Sequence, residues 1–426
     1  MTETPHRTEI SLHAYRPEAD DLRILLGLAA PVTLVQVGLM SMGAVDTVMV
    51  GRVSAVDLAA VAIGNLYFFI MAIFGQGVLY ALDPVIAQAV GARDTAGVAR
   101  GVQRGLIVAV ILASVAMLLL VPAGPLLTLA RQPSEVVPIA DAYANGLILG
   151  VIPFYAFAVF RQSLQAMGSV RPIVLTVLAA NVLNVGLNWV LIFGNLGAPK
   201  LGAVGSAWGT SVSRWFLVFL VGGLAWSQLR PTLHPWRRDS FAWTPLLRFL
   251  RVGAPIGGQQ FLEFGVFGAA GLLMGLLGTI AVASHQVALQ LAAITFMIPV
   301  GVAQATSVVV GQAVGRGDPG AGRRAVGAGL MVVTGAMAAL DGLLGGTLDH
   351  AVYNLGSDRA IRLDAMVAAL ERALGKSAVI DRQEVPRGDV KRTWADLTRS
   401  AADLGYAPSV SFEDGLADFV TWLRRG

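Results

Sequence analysis

Nine stretches of this chain stay apolar for about 20 residues or more, near 24–50, 57–84, 101–122, 138–160, 172–194, 204–228, 252–275, 281–311 and 325–345. No other feature narrows the fold as much. A bilayer core of roughly 30 Å takes about 20 apolar residues as a helix, because every backbone N–H and C=O must be paired within the segment. The runs therefore predict an α-helical polytopic membrane protein in contact with the lipid bilayer on most sides. Their richness in glycine, 49 in the chain, suits helices that approach one another backbone to backbone in lipid.

The connections between the runs alternate in Lys and Arg content. The tail 1–23 carries Arg7, Arg16 and Arg23, and the connections after the second, fourth, sixth and eighth runs carry three (counting Arg104 at the start of the third run), two, five and three basic residues. The other connections hold only Arg52, Arg131 and Lys200, with Arg214 inside the sixth run. Basic connections stay on the cytoplasmic side, so the N-terminus is expected in the cytoplasm of a multi-pass protein of the inner (plasma) membrane. A ninth spanning run would then leave residues 346–426 outside. Residues 1–22 are polar and lack an apolar h-region, so the first run is expected to be retained.

Composition removes several function classes. With no cysteine, the chain has no disulfide, thiolate metal site, iron–sulfur cluster or Cys nucleophile. Its five histidines include no pair at helical ligand spacing. The net charge of +4 rests almost wholly on scattered arginines without a long basic run, so no nucleic-acid partner is expected.

The chain also repeats itself. A shift of 224 residues lays Gln88-Ala89-Val90-Gly91 on Gln312-Ala313-Val314-Gly315, Asp94 on Asp318 and Arg100 on Arg324, with 10 identities between 88 and 108. It also lays Ala30-Pro31 on Ala254-Pro255 and Gln36 on Gln260. Six runs separate equivalent points, so the two halves share one orientation and the repeat is parallel. It fades after Val332. The expected domains are a cytoplasmic tail 1–23, a first six-helix lobe 24–228, a cytoplasmic inter-lobe loop 229–251, an incomplete second lobe 252–345 with a seam near 332–340, and a soluble segment 346–426.

The stretches Asp46-Thr47-Val48-Met49-Val50-Gly51-Arg52, Ala87 to Asp94, Asn181 to Gly194, His285-Gln286-Val287-Ala288-Leu289 and Gly311-Gln312-Ala313 resemble the multidrug and toxic compound extrusion (MATE) transporters over residues 20–332. The resemblance implies two six-helix lobes, a small cationic amphipathic substrate, and export coupled to H⁺ or Na⁺ with no other cofactor. It also implies a functional acid at Glu263 and at Asp46, with Na⁺ or a proton held at either. The chain departs from the family in lacking its last three helices and most of the ninth run.

The residues themselves point the same way. Glu263 lies mid-run, where an ionised carboxylate costs about 2.5–3.5 kcal/mol on insertion scales, so it should face a polar cavity or hold a structural bond between helices. Asp46 lies on the outward half of the first run, as an ion site or a helix-end cap. Asn181, Asn184 and Asn188 share one helical face, and either bond Asp46 or tie helices together. His285 and Gln286 near the start of the eighth run complete the candidate polar cavity. Asp83 and Arg214 are expected to pair or to snorkel. Gly315-Arg316-Gly317-Asp318-Pro319-Gly320 has the form of a nucleotide loop but follows a membrane run instead of a strand.

Residues 341–426 hold 24 charged side chains in 86 residues, against 34 in the preceding 340. Tyr353-Asn354-Leu355-Gly356, an amphipathic stretch 362–375, Pro386 to Val390 and Leu404 to Pro408 are similar to the C-terminal part of NAD-dependent nucleotide-sugar epimerases. The resemblance, over 333–426, implies a small α+β remnant at 346–426, with strands at 351–353 and 377–380. It does not imply an enzyme, because no Lys stands four residues after a Tyr. The function expected is a secondary active multidrug/cation antiporter, inactive if the shortened second lobe cannot work. The alternative is an inert fusion of a transporter fragment with an epimerase fragment.

Overall fold

The computed structural model describes residues 15–130, 132–276, 279–343, 362–375, 377–378, 380, 397–398, 401–402 and 407–423. The chain divides into two compact units, Met1–Ala339 and Leu340–Gly426.

The first unit is helical. Its elements are α1 (Ala19–Val50), α2 (Ala55–Leu79), α3 (Leu82–Gly91), α4 (Thr95–Leu120), α5 (Ala123–Leu129), α6 (Val137–Ile148), α7 (Val151–Ala166), α8 (Arg171–Phe193), α9 (Gly202–Leu224), α10 (Trp226–Leu233), α11 (Trp243–Leu276), α12 (Thr279–Gly315) and α13 (Pro319–Leu343). Among the described residues, seven helical stretches are long and apolar enough to cross a bilayer, and α6 with α7, bent by 50°, make an eighth if taken as one span. Many apolar side chains of these helices point outward: Leu118, Val182 and Phe219 are about as exposed as surface lysines would be in a soluble protein. Such a surface is stable only in lipid.

Two apolar runs that read as single helices are broken. The second run becomes α2 and α3 with a turn at Tyr80–Ala81, and the fourth becomes α6 and α7 around Leu149–Gly150. Residues 229–251, expected as a loop, hold the end of α10, a strap from His234 to Ala242 with a 3-10 turn at Arg238–Phe241, and the start of α11. Arg161, counted among cytoplasmic connections, is instead buried within α7.

The repeat is visible as geometry. Asp94 caps α4 by accepting from Gly97 N at 2.8 Å, and Asp318 accepts from Ala321 N at 2.9 Å, the equivalent pair. The preceding turn is copied too, with Arg93 at φ 55° and its counterpart Gly317 at φ 75°. The glycine-rich Gly315-to-Gly320 segment is thus the corner between α12 and α13, where Gly317 supplies the left-handed residue and Asp318 the helix cap. The helices of the second lobe pack against those of the first, α11 on α2 and α12 on both α1 and α3. A Cβ at Gly91 would strike the Gln312 backbone, and one at Gly315 would strike the Gln88 backbone. The same reciprocity holds between Gly77 and Gly257 and between Gly301 and Thr33. Each contact maps onto its partner under the 224-residue shift, as a parallel duplication about one axis requires.

In the second unit, α14 (Leu363–Leu374) and α15 (Phe412–Leu423) pack together, with Ala369 and Val420 buried. Gly375 at φ 68° ends α14, and Ser411 accepts from Asp414 N at the start of α15. The expected α+β remnant is not what is seen. Among the described residues the unit has no strand, and Ser377, Ala378 and Ile380 are irregular. Residues 351–353 lie outside the described residues, as do 353–356, 386–390 and 404–406, which carry much of the epimerase resemblance.

Candidate functional site

Asp46 sits four residues before the end of α1, and its side chain is 3% exposed. A buried carboxylate needs partners or neutralisation. It has two, both neutral: Asn188 Nδ2 donates to Oδ1 at 2.5 Å, and Thr210 Oγ1 donates to Oδ2 at 2.8 Å. Asn188 Nδ2 also reaches Asn184 Oδ1, one helical turn earlier on α8, at 3.2 Å. Asn184 and Asn188 are fully buried and Thr210 nearly so. These groups meet because α8 packs against both α1 and α9. Gly209 makes room, since a Cβ there would stand 2.9 Å from Asn188 Oδ1.

The three asparagines divide in their roles. Asn188 bonds Asp46 and Asn184 bonds Asn188, whereas Asn181 Nδ2 donates to Gly38 O at 2.9 Å and to Val177 O at 2.8 Å, which ties α8 to α1. Among the described residues Asn188 Oδ1 and Asn184 Nδ2 are buried without a hydrogen-bond partner, and so are the hydroxyls of Ser206 and Ser213 on α9. Buried polar atoms are rarely left so, and a buried carboxylate with neutral partners has the chemistry to hold a proton or a small hard cation. Among the described residues no three His, Cys, Asp or Glu side chains come together. The ligands on offer are one carboxylate and several neutral oxygens.

Arg214, one turn beyond Thr210 on α9, acts on the Asp46 charge without forming an ion pair with it. Its guanidinium lies over Phe68 at 4.3 Å and Phe154 at 5.0 Å, a cation–π cradle. The expected pairing of Asp83 with Arg214 does not occur. Asp83, in the first turn of α3, faces α7, accepts from Gln162 Nε2 at 3.1 Å and feels the charge of Arg161. Arg161 in turn donates to Gln36 Oε1 on α1 at 2.5 Å.

Glu263 is half-buried in the middle of α11. It makes no hydrogen bond or ion pair with another described residue, and so stands apart from the Asp46 group. His285 and Gln286 lie in the first turns of α12, and their side chains fall outside the described ones. Sequence reasoning missed Gly209, Thr210 and Arg161. The signal for the first two was the small polar texture of Ser206 to Ser213 in the sixth run; Arg161 was hidden by its place at a run's edge.

A family model for MatE matches residues 31–190 and 255–348, so the likeness runs past Val332 to the end of α13. The chain is 36% identical over 312 residues to a probable multidrug resistance protein NorM of Bradyrhizobium diazoefficiens, covering 72% of this chain and 66% of that protein. It is 36% identical over 355 residues to a namesake from Rhodopseudomonas palustris, covering 81% and 74%. Against the multidrug resistance protein NorM of Vibrio cholerae it is 31% identical over 328 residues, covering 75% and 70%. Its fold is similar to that of the eukaryotic MATE transporter AtDTX14, with a TM-score of 0.69 at 23% identity over 76% of this chain and 72% of that one. With both copies of the repeat inside the matched segments and the duplicated helical fold in common, the chain belongs to the MatE family of membrane transporters.

Proposed function

We propose that this chain is a secondary active exporter of cationic amphipathic compounds, exchanging them for H⁺ or Na⁺, and that Asp46 takes up the coupling ion in the first lobe. The observation that carries this reading is a buried carboxylate bonded, among the described residues, by neutral amide and hydroxyl groups. The ionised Asp46 is served by the Asn188 N–H. A half-turn of the same amide presents Oδ1, now without a partner, to a protonated Asp46 or to a bound Na⁺. One side chain can thus serve both states of the carboxylate. The names of the bacterial relatives support multidrug export, although the chain spans only about two thirds to three quarters of their length.

Glu263 is proposed as a second ion- or proton-coupling acid, on α11 of the second lobe. The lobes are assigned to 24–228 and 252–345, in the inner membrane with the N-terminus cytoplasmic. The test is Asp46→Asn, which keeps the shape and removes the titratable charge. Efflux driven by an ion gradient is expected to vanish while the protein remains in the membrane. Undiminished gradient-driven efflux would reject the assignment.

A second reading is an inert fusion of a transporter fragment with a segment of other origin beyond the matched residues, favoured by the rise in charge density there; neither the fold nor the family match supports an epimerase source for that segment. Measurable efflux by the full chain would remove it.

A further inference from the structure

The strap between α10 and α11 is pinned to α4 by one side chain. Gln103, fully buried, donates from Nε2 to Thr232 O at 2.9 Å and Pro235 O at 3.1 Å, and its Oε1 accepts from Arg237 N at 2.9 Å and Ser240 Oγ at 2.8 Å. This junction brings Arg237 of the strap to the face of α4 that carries Arg100 and Arg104. Counter-charge is scarce there. Asp239 lies 3.9 Å from Arg100, which is already engaged by Asp94 at 3.2 Å, while Arg104 Nη2 donates only to the Asp239 backbone carbonyl at 3.2 Å. The Nε atoms of both Arg104 and Arg237 are buried and have no hydrogen-bond partner among the described residues. Two desolvated guanidinium N–H groups, without acceptors among the described residues, are donors suited to an anion.

The surroundings say what kind. Trp236 and Phe241, with ring centroids 6.0 Å apart, are both exposed, and Trp243 beyond them is 68% exposed. A free phosphate ion has no use for these rings. Indole and phenyl groups beside arginines at the end of membrane helices are what a headgroup region accommodates. We propose that the junction of α4 with the strap binds the phosphodiester of an anionic phospholipid, held by Arg104 and Arg237, with Trp236, Phe241 and Trp243 against its glycerol and upper acyl carbons. The site rests on the membrane reading of the first unit and is independent of ion exchange at Asp46.

The full chain, purified in neutral detergent, is titrated with short-chain phosphatidylglycerol and with short-chain phosphatidylcholine, and bound lipid is counted by native mass spectrometry. Phosphatidylglycerol should be retained in preference, and Arg104→Gln and Arg237→Gln should each weaken its retention by about fivefold. Arg52→Gln, at an exposed turn after α1, should change nothing. If Arg104→Gln fails to fold, the strap variant Arg237→Gln decides alone. Equal retention of both lipids, unchanged preference in the arginine variants, or equally tight binding of inorganic phosphate in a competition arm would each overturn the proposal.

Discussion

Removing either partner of Asp46 leaves a buried carboxylate half-satisfied, at a cost of about 1–3 kcal/mol for each lost bond. Asn188→Leu should cost more than Thr210→Val, because it also frees Asn184; thermal unfolding in detergent ranks the two. If the amide serves both states of the carboxylate, Asn188→Leu should also lose ion-driven efflux, whereas Thr210→Val keeps part of it. Glu263→Gln should abolish or alter the ion dependence of efflux and leave the Asp46 network intact; a transport profile unchanged in pH and Na⁺ dependence would count against a coupling role. The acids were legible from sequence because charge inside an apolar run is costly and therefore conspicuous. The i, i+3, i+7 asparagines were legible as a face, but not the division that gives Asn188 to Asp46 and Asn181 to Gly38. That depends on the rotation of α8 against α1, which helical period alone does not fix. Thr210 escaped because a hydroxyl in lipid can bond its own helix, so its presence marks no site.

At the level of elements, hydropathy put each of the nine runs on helix, with starts off by as much as nine residues at α11, but it did not show the breaks inside them, and among the described residues seven or eight stretches meet the length and apolarity of a span. A turn that joins α2 to α3, or bends α6 from α7, keeps the same apolar composition on both sides and leaves no mark in an averaged profile. The repeat, by contrast, was readable and had consequences that could be checked. Gly91→Leu or Gly315→Leu should force α3 and α12 apart, at a cost on the order of 1–3 kcal/mol or more, since the obstacle is backbone and not a movable side chain. Between them lies an asymmetry: Arg93 takes the left-handed conformation that Gly317 takes in the other copy. Arg93→Gly should be neutral or stabilising by up to about 1 kcal/mol, and Gly317→Arg destabilising by about as much. Melting temperatures in one detergent would check both, and a loss of stability in Arg93→Gly would speak against conformational strain there.

On the scale of the whole molecule, the charge pattern makes a topological prediction that packing does not replace. The chain has no native cysteine, so a single cysteine at Lys200 should react with an impermeant thiol reagent from outside, and one at Arg238 only after the membrane is opened. The reverse result would invert the orientation. The membrane half was legible because lipid imposes one rule on every backbone group. The segment beyond Leu340 was not, because short amphipathic stretches take their structure from partners that composition does not name. The reciprocal contacts between the lobes bear on descent. Gly91 meets Gln312 and Gly315 meets Gln88, residue for residue as two identical chains do across a twofold axis. A single-lobe ancestor would have paired with itself through this same surface. Joining two copies end to end would keep such an interface, with changes as small as Thr33 for Gly257, while each half diverges elsewhere: Asp46 stands where the other copy has Ala270, and Glu263 where it has Leu39.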